Sequence, residues 1–280
     1  VKQWLLPRAT DCHKGTCGRI LVVAGSRGMT GAAALASMAA IRMGAGIVTL
    51  ACPASLNDVL EVKLTEVMTM PLEDKGCGYL TLDNLAMLLQ KSADYDFVLI
   101  GPGLGRQDST GELVRALVTK VKKPVLLDAD GIYAFKERGN LLAECSYPPI
   151  LTPHMGEMST LLGITISELK EELLELSREA TKEYNCTLVV KSETTIIVHS
   201  DGMAYAANTG NPGMATAGCG DVLAGIIAGL YRQVVKDRIA LTGVYIHGRS
   251  GDIAYGALGN CLLAHDIIER IPEAVKELTK

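Results

Sequence analysis

The sequence predicts an α/β protein with a mostly parallel central sheet flanked by helices. Three observations lead there. Short apolar, β-branched runs alternate with helical stretches, each run closes on Gly, Asp or His, and closely spaced β-rich runs appear only late in the chain.

The first run, Arg19-Ile-Leu-Val-Val-Ala24, is closed by Gly25-Ser26 and leads into an Ala-rich segment from Gly31 to Gly44 of helical composition. Gly46-Ile-Val-Thr-Leu-Ala51 is then a second buried strand, and the βαβ unit so formed carries a right-handed connection. Downstream, Phe97-Val-Leu-Ile100 ends in Gly101-Pro-Gly-Leu-Gly105, Pro124-Val-Leu-Leu127 in Asp128-Ala-Asp130, and Pro149-Ile-Leu-Thr152 in Pro153-His154. Open parallel sheets bind ligands beyond the carboxyl ends of their strands, so these endings point to one shared site. From Leu188 to Ala207 three short runs with a turn at Ser200-Asp-Gly202 predict an antiparallel meander on one edge of the sheet. From Asp221 to about Ile271 the spacing is helical, and Pro272 is expected to end it.

Composition sets the outer bounds. The 280 residues are 48% hydrophobic and 21% charged, the balance of a buried globular core, and no linker or repeat divides them. Length alone allows one large domain or two small ones, and nothing in the composition forces a split. A net charge of -4 gives no general attraction for nucleic acid or anionic lipid, so an anionic ligand must be held by local groups. Apolar stretches break well short of about 18 residues and no signal-peptide pattern is present, which makes the cytoplasm the expected compartment. The eight cysteines are scattered without C-x-x-C or metal-ligand spacing, so they are expected to be free thiols, and no residue is assigned as a metal ligand.

The most informative stretch is Asn208-Thr-Gly-Asn-Pro-Gly-Met-Ala-Thr-Ala-Gly-Cys-Gly-Asp221, followed by an apolar helical pattern. Gly218 and Gly220 let a backbone approach a ligand closely, and the first N–H groups of a helix favour phosphate. Asp221 at that helix start is either a first-turn acid that stabilises the helix or a base that accepts a hydroxyl proton beside the phosphate. This segment resembles the glycine-rich signature of the ribokinase-like superfamily, whose kinases end it in Gly-x-Gly-Asp with the Asp as base.

The resemblance extends in order from about residue 10 to about residue 230. His13-Lys-Gly-Thr-Cys-Gly18, Leu21-Val-Val-Ala-Gly-Ser26, Gly31-Ala-Ala33, Gly101-Pro-Gly-Leu-Gly105, Asp128-Ala-Asp-Gly131, Leu151-Thr-Pro-His-Met-Gly-Glu157 and Asn211-Pro-Gly-Met-Ala-Thr216 together resemble the ADP- or ATP-dependent NAD(P)H-hydrate dehydratase branch of that superfamily. The resemblance implies a three-layer ribokinase-like fold in a single domain over residues 1–280, and nucleotide-dependent dehydration of hydrated NADH or NADPH (NADHX, NADPHX). It implies Mg²⁺, an adenine nucleotide as co-substrate and a homo-oligomer, commonly a tetramer. Members are often the C-terminal half of a fusion with an epimerase, and a chain that starts at Val1 fits that idea.

By the same resemblance Asp221 is the base, Ala32, Gly103, His154 and Asp221 hold the hydrated dinucleotide, and Lys191, Ser192, Glu193, Thr194, Thr195 and Gly220 hold the nucleotide. Related sugar and vitamin kinases have Asn-x-x-Glu where this chain has His154-Met-Gly-Glu157, which favours the dehydratase. Glu157 either helps place Mg²⁺ through water or is an ordinary solvated acid. Asp128 and Asp130 either touch substrate and metal-bound water or shape a turn. The family's Lys-Gly-x-x-Thr loop appears here as Lys191-Ser-Glu-Thr-Thr195, and Cys219 stands where Thr or Ser is common. His247 is read as a packed core or interface residue, and His13-Lys14-Gly15 has no role that physics assigns. Two rivals stand beside the dehydratase: a kinase of the same fold acting on a hydroxymethyl group, and a non-catalytic nucleotide-binding regulator.

Overall fold

A computed structural model describes residues 1–279. In chain order the strands are β1 (Arg19–Val23), β2 (Ile47–Pro53), β3 (Met68–Leu72), β4 (Phe97–Ile100), β5 (Val125–Leu127), β6 (Ile150–Leu151), β7 (Thr187–Val190), β8 (Ile196–Val198) and β9 (Ala204–Ala206). The helices are α1 (Thr30–Arg42), α2 (Asn57–Lys63), α3 (Leu85–Ser92), α4 (Asp108–Lys120), α5 (Asp130–Tyr133), α6 (Met155–Leu162), α7 (Ile166–Glu171), α8 (Leu173–Glu183), α9 (Cys219–Gly229), α10 (Ile239–Leu258) and α11 (Ala264–Thr279).

The strands form one sheet in the order β3-β2-β1-β4-β5-β6-β7-β8-β9. Every pair from β3 to β7 is parallel, and β8 and β9 close the edge antiparallel, as the late β-rich runs predict. Alternation along β1 explains its apolar run from Ile20 to Val23. Ile20 and Val22 enter the core shared with α1, α9, α10 and α11, while Leu21 and Val23 enter the core beneath α4, α6 and α8. A sheet covered on both faces needs apolar residues at every position, and the result is three layers.

The Ala-rich composition of α1 comes from its partner. Gly225 and Gly229 on α9 face it; a Cβ on Gly225 would overlap the Ala36 carbonyl, and one on Gly229 would lie 2.5 Å from the Ala40 carbonyl. Alanine opposite glycine lets the two helices touch backbone to backbone, and this contact carries the start of α9 to the carboxyl end of the sheet.

Two features depart from the sequence expectation. β3 carries Pro71, which discourages a strand, yet β3 lies at the sheet edge and its ladder faces only β2, where proline is tolerated. Pro272 does not end the last helix: α11 runs through it to Thr279. Ile267, Ile268, Ile271 and Ala274 bury a stripe on both sides of the proline, and that packing offsets a penalty of about 3 kcal/mol for proline inside a helix.

Candidate active site

The sheet order reverses at β1, with β2 and β3 on one side and β4 to β7 on the other. The loops after β1 and β4 therefore leave side by side, at the position where open parallel sheets form a ligand crevice. The Gly25 N–H donates to the Pro102 carbonyl at 2.9 Å, and the Ser26 hydroxyl to the Gly103 carbonyl at 2.9 Å. Gly103 has φ 62°, and a Cβ there would stand 2.8 Å from the Met29 carbonyl and 3.1 Å from the Ala32 Cβ. Ala32, in the first turn of α1, and Gly103 thus share one low wall with no long side chain of their own.

Leu35, one turn beyond Ala32, lies against Gly218, where a Cβ would come within 2.5 Å of its Cδ1. Gly218 is the N-cap of α9, with φ 94° and no side chain to cap with. Among the described residues the Gly220 and Asp221 N–H groups have no protein acceptor, so the helix start is left open to an anion. Cys219 turns its thiol into the core, and burial pushes that thiol up. Asp221 is the third residue of the helix, and its carboxylate makes no capping bond. Burial first, then the charge of Asp128, raises it from 3.8 to about 7; Lys191 pulls the other way, and Glu157 and Asp130 add to the rise.

Three neighbouring strand ends supply this charged surrounding. Asp128, one residue past β5, is 1% exposed and its Oδ1 lies 2.9 Å from Lys191 Nζ. The same oxygen accepts the Thr152 hydroxyl at 2.6 Å, while Oδ2 is buried without a partner. Lys191, one residue past β7, also stands 3.8 Å from Glu157 Oε2. A Cβ on Gly220 would be 3.2 Å from its Nζ, so the ammonium sits at the open helix start. Burial opposes its charge most strongly, yet Asp128, Glu157 and Asp221 together hold Lys191 above its ordinary value. The chain at Ala129 is forced to φ 50°, ψ -120°, where a Gly131 N–H to Asp128 carbonyl bond of 2.9 Å closes a tight turn better suited to glycine. Asp130 leaves this turn to accept the Gly105 N–H at 2.9 Å and Arg106 Nε at 3.0 Å.

His154 is the N-cap of α6. Its Nδ1 accepts from the Gly156 and Glu157 N–H groups at 3.0 and 3.1 Å, and Glu157 Oε2 accepts the His154 N–H at 2.9 Å, a reciprocal capping box. Nε2 lies 3.4 Å from Glu157 Oε1. A bridge between His154 and Lys191, with the Lys191 N–H on the Pro153 carbonyl at 2.8 Å, ties the two loops together.

The sequence candidates do not all converge. Asp221, Gly220, Lys191, Glu157 and Asp128 form one cluster, His154 borders it, and Ala32 and Gly103 form the wall across α1. Ser192, Glu193 and Thr194 are exposed, with the Ser192 hydroxyl turned to the Thr194 carbonyl at 2.7 Å, and Thr195 is half-buried between β7 and β8. Only Lys191 of that loop enters the cluster. Thr152 was not singled out; a hydroxyl ending an apolar strand was its signal. His247 is packed as its helical spacing suggests, but it also meets the Cys219 backbone; burial drops it to about 4, and its Nε2 has no partner. His13-Lys14-Gly15 lies at the opposite, amino end of the sheet, where the Lys14 carbonyl abuts Gly46 ahead of β2.

An acid on the third residue of a glycine-started helix, at the carboxyl end of such a sheet, marks the ribokinase-like class. A protein of that superfamily from Enterococcus faecalis superposes with a TM-score of 0.82 at 26% identity, covering 99% of this chain and 93% of its own. Residues 20–273 match the family model described as NAD(P)H-hydrate dehydratase, and the chain belongs to that family. It is 42% identical over 273 residues to the bifunctional NAD(P)H-hydrate repair enzyme of Moorella thermoacetica, covering 97% of this chain and 52% of that protein. The chain spans about half the length of the curated relatives it matches. The ADP/ATP-dependent NAD(P)H-hydrate dehydratase of Bacillus subtilis, co-crystallised with ATP and Mg²⁺, superposes with a TM-score of 0.82 at 29% identity, covering 99% of this chain and 95% of its own.

Proposed function

We propose that the protein restores NADH and NADPH from NADHX and NADPHX, spending ADP or ATP to remove the added water. The observation that carries this reading is the carboxyl of Asp221, held at about 7 beside an open, glycine-walled helix start. Hydroxide leaves poorly from the hydrated ring. Asp221 accepts the ring hydroxyl proton as that oxygen attacks the donor's terminal phosphorus and the bridging P–O bond breaks to release AMP from ADP or ADP from ATP, a task suited to a base whose pKa lies near neutrality. The Gly220 and Asp221 N–H groups and Lys191 Nζ face the charge growing on the phosphoryl oxygens. The ring nitrogen's electron pair then expels phosphate, and loss of the adjacent ring proton restores the double bond. Ala32, Gly103 and His154 border the hydrated dinucleotide, while Lys191 and the 192–195 loop border the nucleotide.

Among the described residues no three His, Cys, Asp or Glu side chains converge as a metal cage. Mg²⁺ asks less, because it commonly keeps its waters and uses one or two carboxylates plus phosphate oxygens. The buried, unpartnered Asp128 Oδ2 and the neighbouring Glu157 fit such a hold. When bound, the ion neutralises phosphate oxygens. The proposal extends to a cytoplasmic homo-oligomer, tetrameric as the resemblance implies; no helix among the described residues is long and apolar enough to cross a membrane.

The test is incubation of the protein with chemically hydrated NADH, Mg²⁺ and either ADP or ATP, following the absorbance of the reduced nicotinamide together with inorganic phosphate. Recovery that needs nucleotide, matches phosphate release and disappears in Asp221→Asn supports the reading and names the donor. Phosphate retained on an organic product would make the protein a kinase instead. Binding without turnover would make it a regulator.

A further inference from the structure

Gly105 and Asp130, at the mouth of the substrate crevice, also line a cleft of about 370 Å³ between the start of α4 and α5. Four cationic side chains reach it: Arg106, Arg115, Lys136 and Arg138. Their charge is unevenly answered. Arg106 pairs with Asp130 at 3.0 Å and lies over the Tyr133 ring, 4.2 Å from its centroid. Lys136 reaches Glu137 at 3.7 Å. Arg115 donates to the Ala134 carbonyl at 2.7 Å and has no carboxylate in ion-pair range, and the Arg138 side chain has neither a hydrogen bond nor an ion pair among the described residues.

Burial, then the charge of Arg138, pulls Arg115 below its ordinary value, more than Glu112 and Asp108 at the exposed rim restore. Two guanidiniums that repel each other across a cleft are stabilised by an anion placed between them, and their planar donor forks match phosphate. The same wall carries the start of α4, whose N-cap Gln107 makes no side-chain capping bond and whose first turn carries Asp108 at the rim.

We propose that this cleft binds the phosphomonoester on the adenosine ribose of NADPHX, gripped by Arg115 and Arg138 with Arg106 beneath the adenine, so that the protein favours NADPHX over NADHX. The inference rests on the dehydratase reading and names the preferred form of its substrate. Dinucleotide sites that read a free ribose hydroxyl use a carboxylate, whereas those that accept the phosphate use arginine. Of the three carboxylates lining the cleft, Asp130 is already taken by Arg106 and the Gly105 N–H, and Asp108 and Glu112 stand at the exposed rim. Gly105 in the wall of the cleft follows Gly103 by two residues, so a dinucleotide with its nicotinamide half at Ala32 and Gly103 can direct its adenosine half this way.

The experiment measures kcat/KM for NADPHX and NADHX at saturating donor, in the wild-type protein and in Arg138→Gln and Arg115→Lys. The NADPHX to NADHX ratio is expected to exceed one and to fall on the order of tenfold in Arg138→Gln, the loss of one charge-assisted phosphate contact. A second measurement titrates 2′-AMP, 5′-AMP and inorganic phosphate calorimetrically into protein whose donor site is filled with a non-hydrolysable ATP analogue. Binding of 2′-AMP that Arg138→Gln weakens supports the assignment. Inorganic phosphate binding as tightly as 2′-AMP would make this a free-phosphate site and overturn it. Turnover of both substrates with an unchanged ratio overturns this inference alone, while turnover of neither removes the dehydratase reading and this inference with it.

Discussion

Replacing Asp221 by Asn should make the protein inactive and more stable, with the added stability dependent on pH. The folded chain holds this carboxyl at about 7, and the unfolded chain returns it to 3.8. Below the lower value it is neutral in both states and costs nothing. Between the two, only the unfolded state ionises, so stability falls as pH rises; above about 7 the folded state carries the charge as well and the loss levels off. The full difference corresponds to about 4 kcal/mol, and partial solvent access and the loss of a partner for Lys191 reduce it to roughly 2 kcal/mol. For a chain of this length that is a rise in Tm of about 3 °C at pH 8. Asparagine keeps the shape and removes the charge. Melting curves of both proteins at half-unit steps from about pH 4 to 8 read the effect directly. An advantage for the variant that shrinks as pH rises, or a variant no more stable at any pH, would refute the claim that burial and the neighbouring carboxylates burden Asp221.

Lys191→Met leaves Asp128 without its cation and is expected to lower stability by about 3 kcal/mol in urea melts. It should also move the rise of kcat/KM with pH to higher pH, because Lys191 holds Asp221 down. At pH 8 the same substitution should cost about 1 kcal/mol less in the Asp221→Asn background, a coupling that vanishes at pH 5 where Asp221 is protonated. His154→Ala should cost about 1 kcal/mol through the lost cap, whereas His154→Asn keeps the cap; equal loss of dinucleotide affinity in both would separate the ring's contact from its structural role. Gly218→Ala puts a methyl 3.0 Å from the Ala264 Cβ at φ 94°, so it should lower Tm and weaken the thermal shift produced by the donor nucleotide.

The fold was legible wherever burial was uniform. β1, β2 and β4 are covered on both faces, and their sequences are correspondingly apolar apart from Arg19 at the start of β1 and Thr49 within β2. β3 was missed because an edge strand faces water on one side and tolerates Pro71. The end of α11 was misplaced because local propensity at Pro272 lost to the isoleucine stripe around it. Within the site, residues whose neighbours lie close in sequence were readable, such as Gly218, Gly220 and Asp221. The partnership of Lys191 with Asp128 spans 63 positions and leaves no local trace. Nor does sequence tell that Lys191 turns inward while Ser192, Glu193 and Thr194 turn out; only the bridge to His154 fixes that direction.

Asp221 comes from a helical layer, whereas the groups that tune it stand on the sheet. Asp128, Thr152 and Lys191 stand at successive strand ends, fixed by parallel ladders that give them little freedom. Asp221 arrives on α9, whose position depends on how deeply that helix settles onto α1. Gly225, one turn beyond Asp221, touches the Ala36 carbonyl, and Gly229 approaches Ala40. A side chain at either glycine would lift the helix and withdraw the carboxylate from Asp128 and Glu157, whose charge raises it. The glycines of α9 therefore act at two places for one reason: at its start they leave the Gly220 and Asp221 N–H groups open, and further along they let the backbone sit close enough for Asp221 to share the electrostatic surroundings of the strand ends.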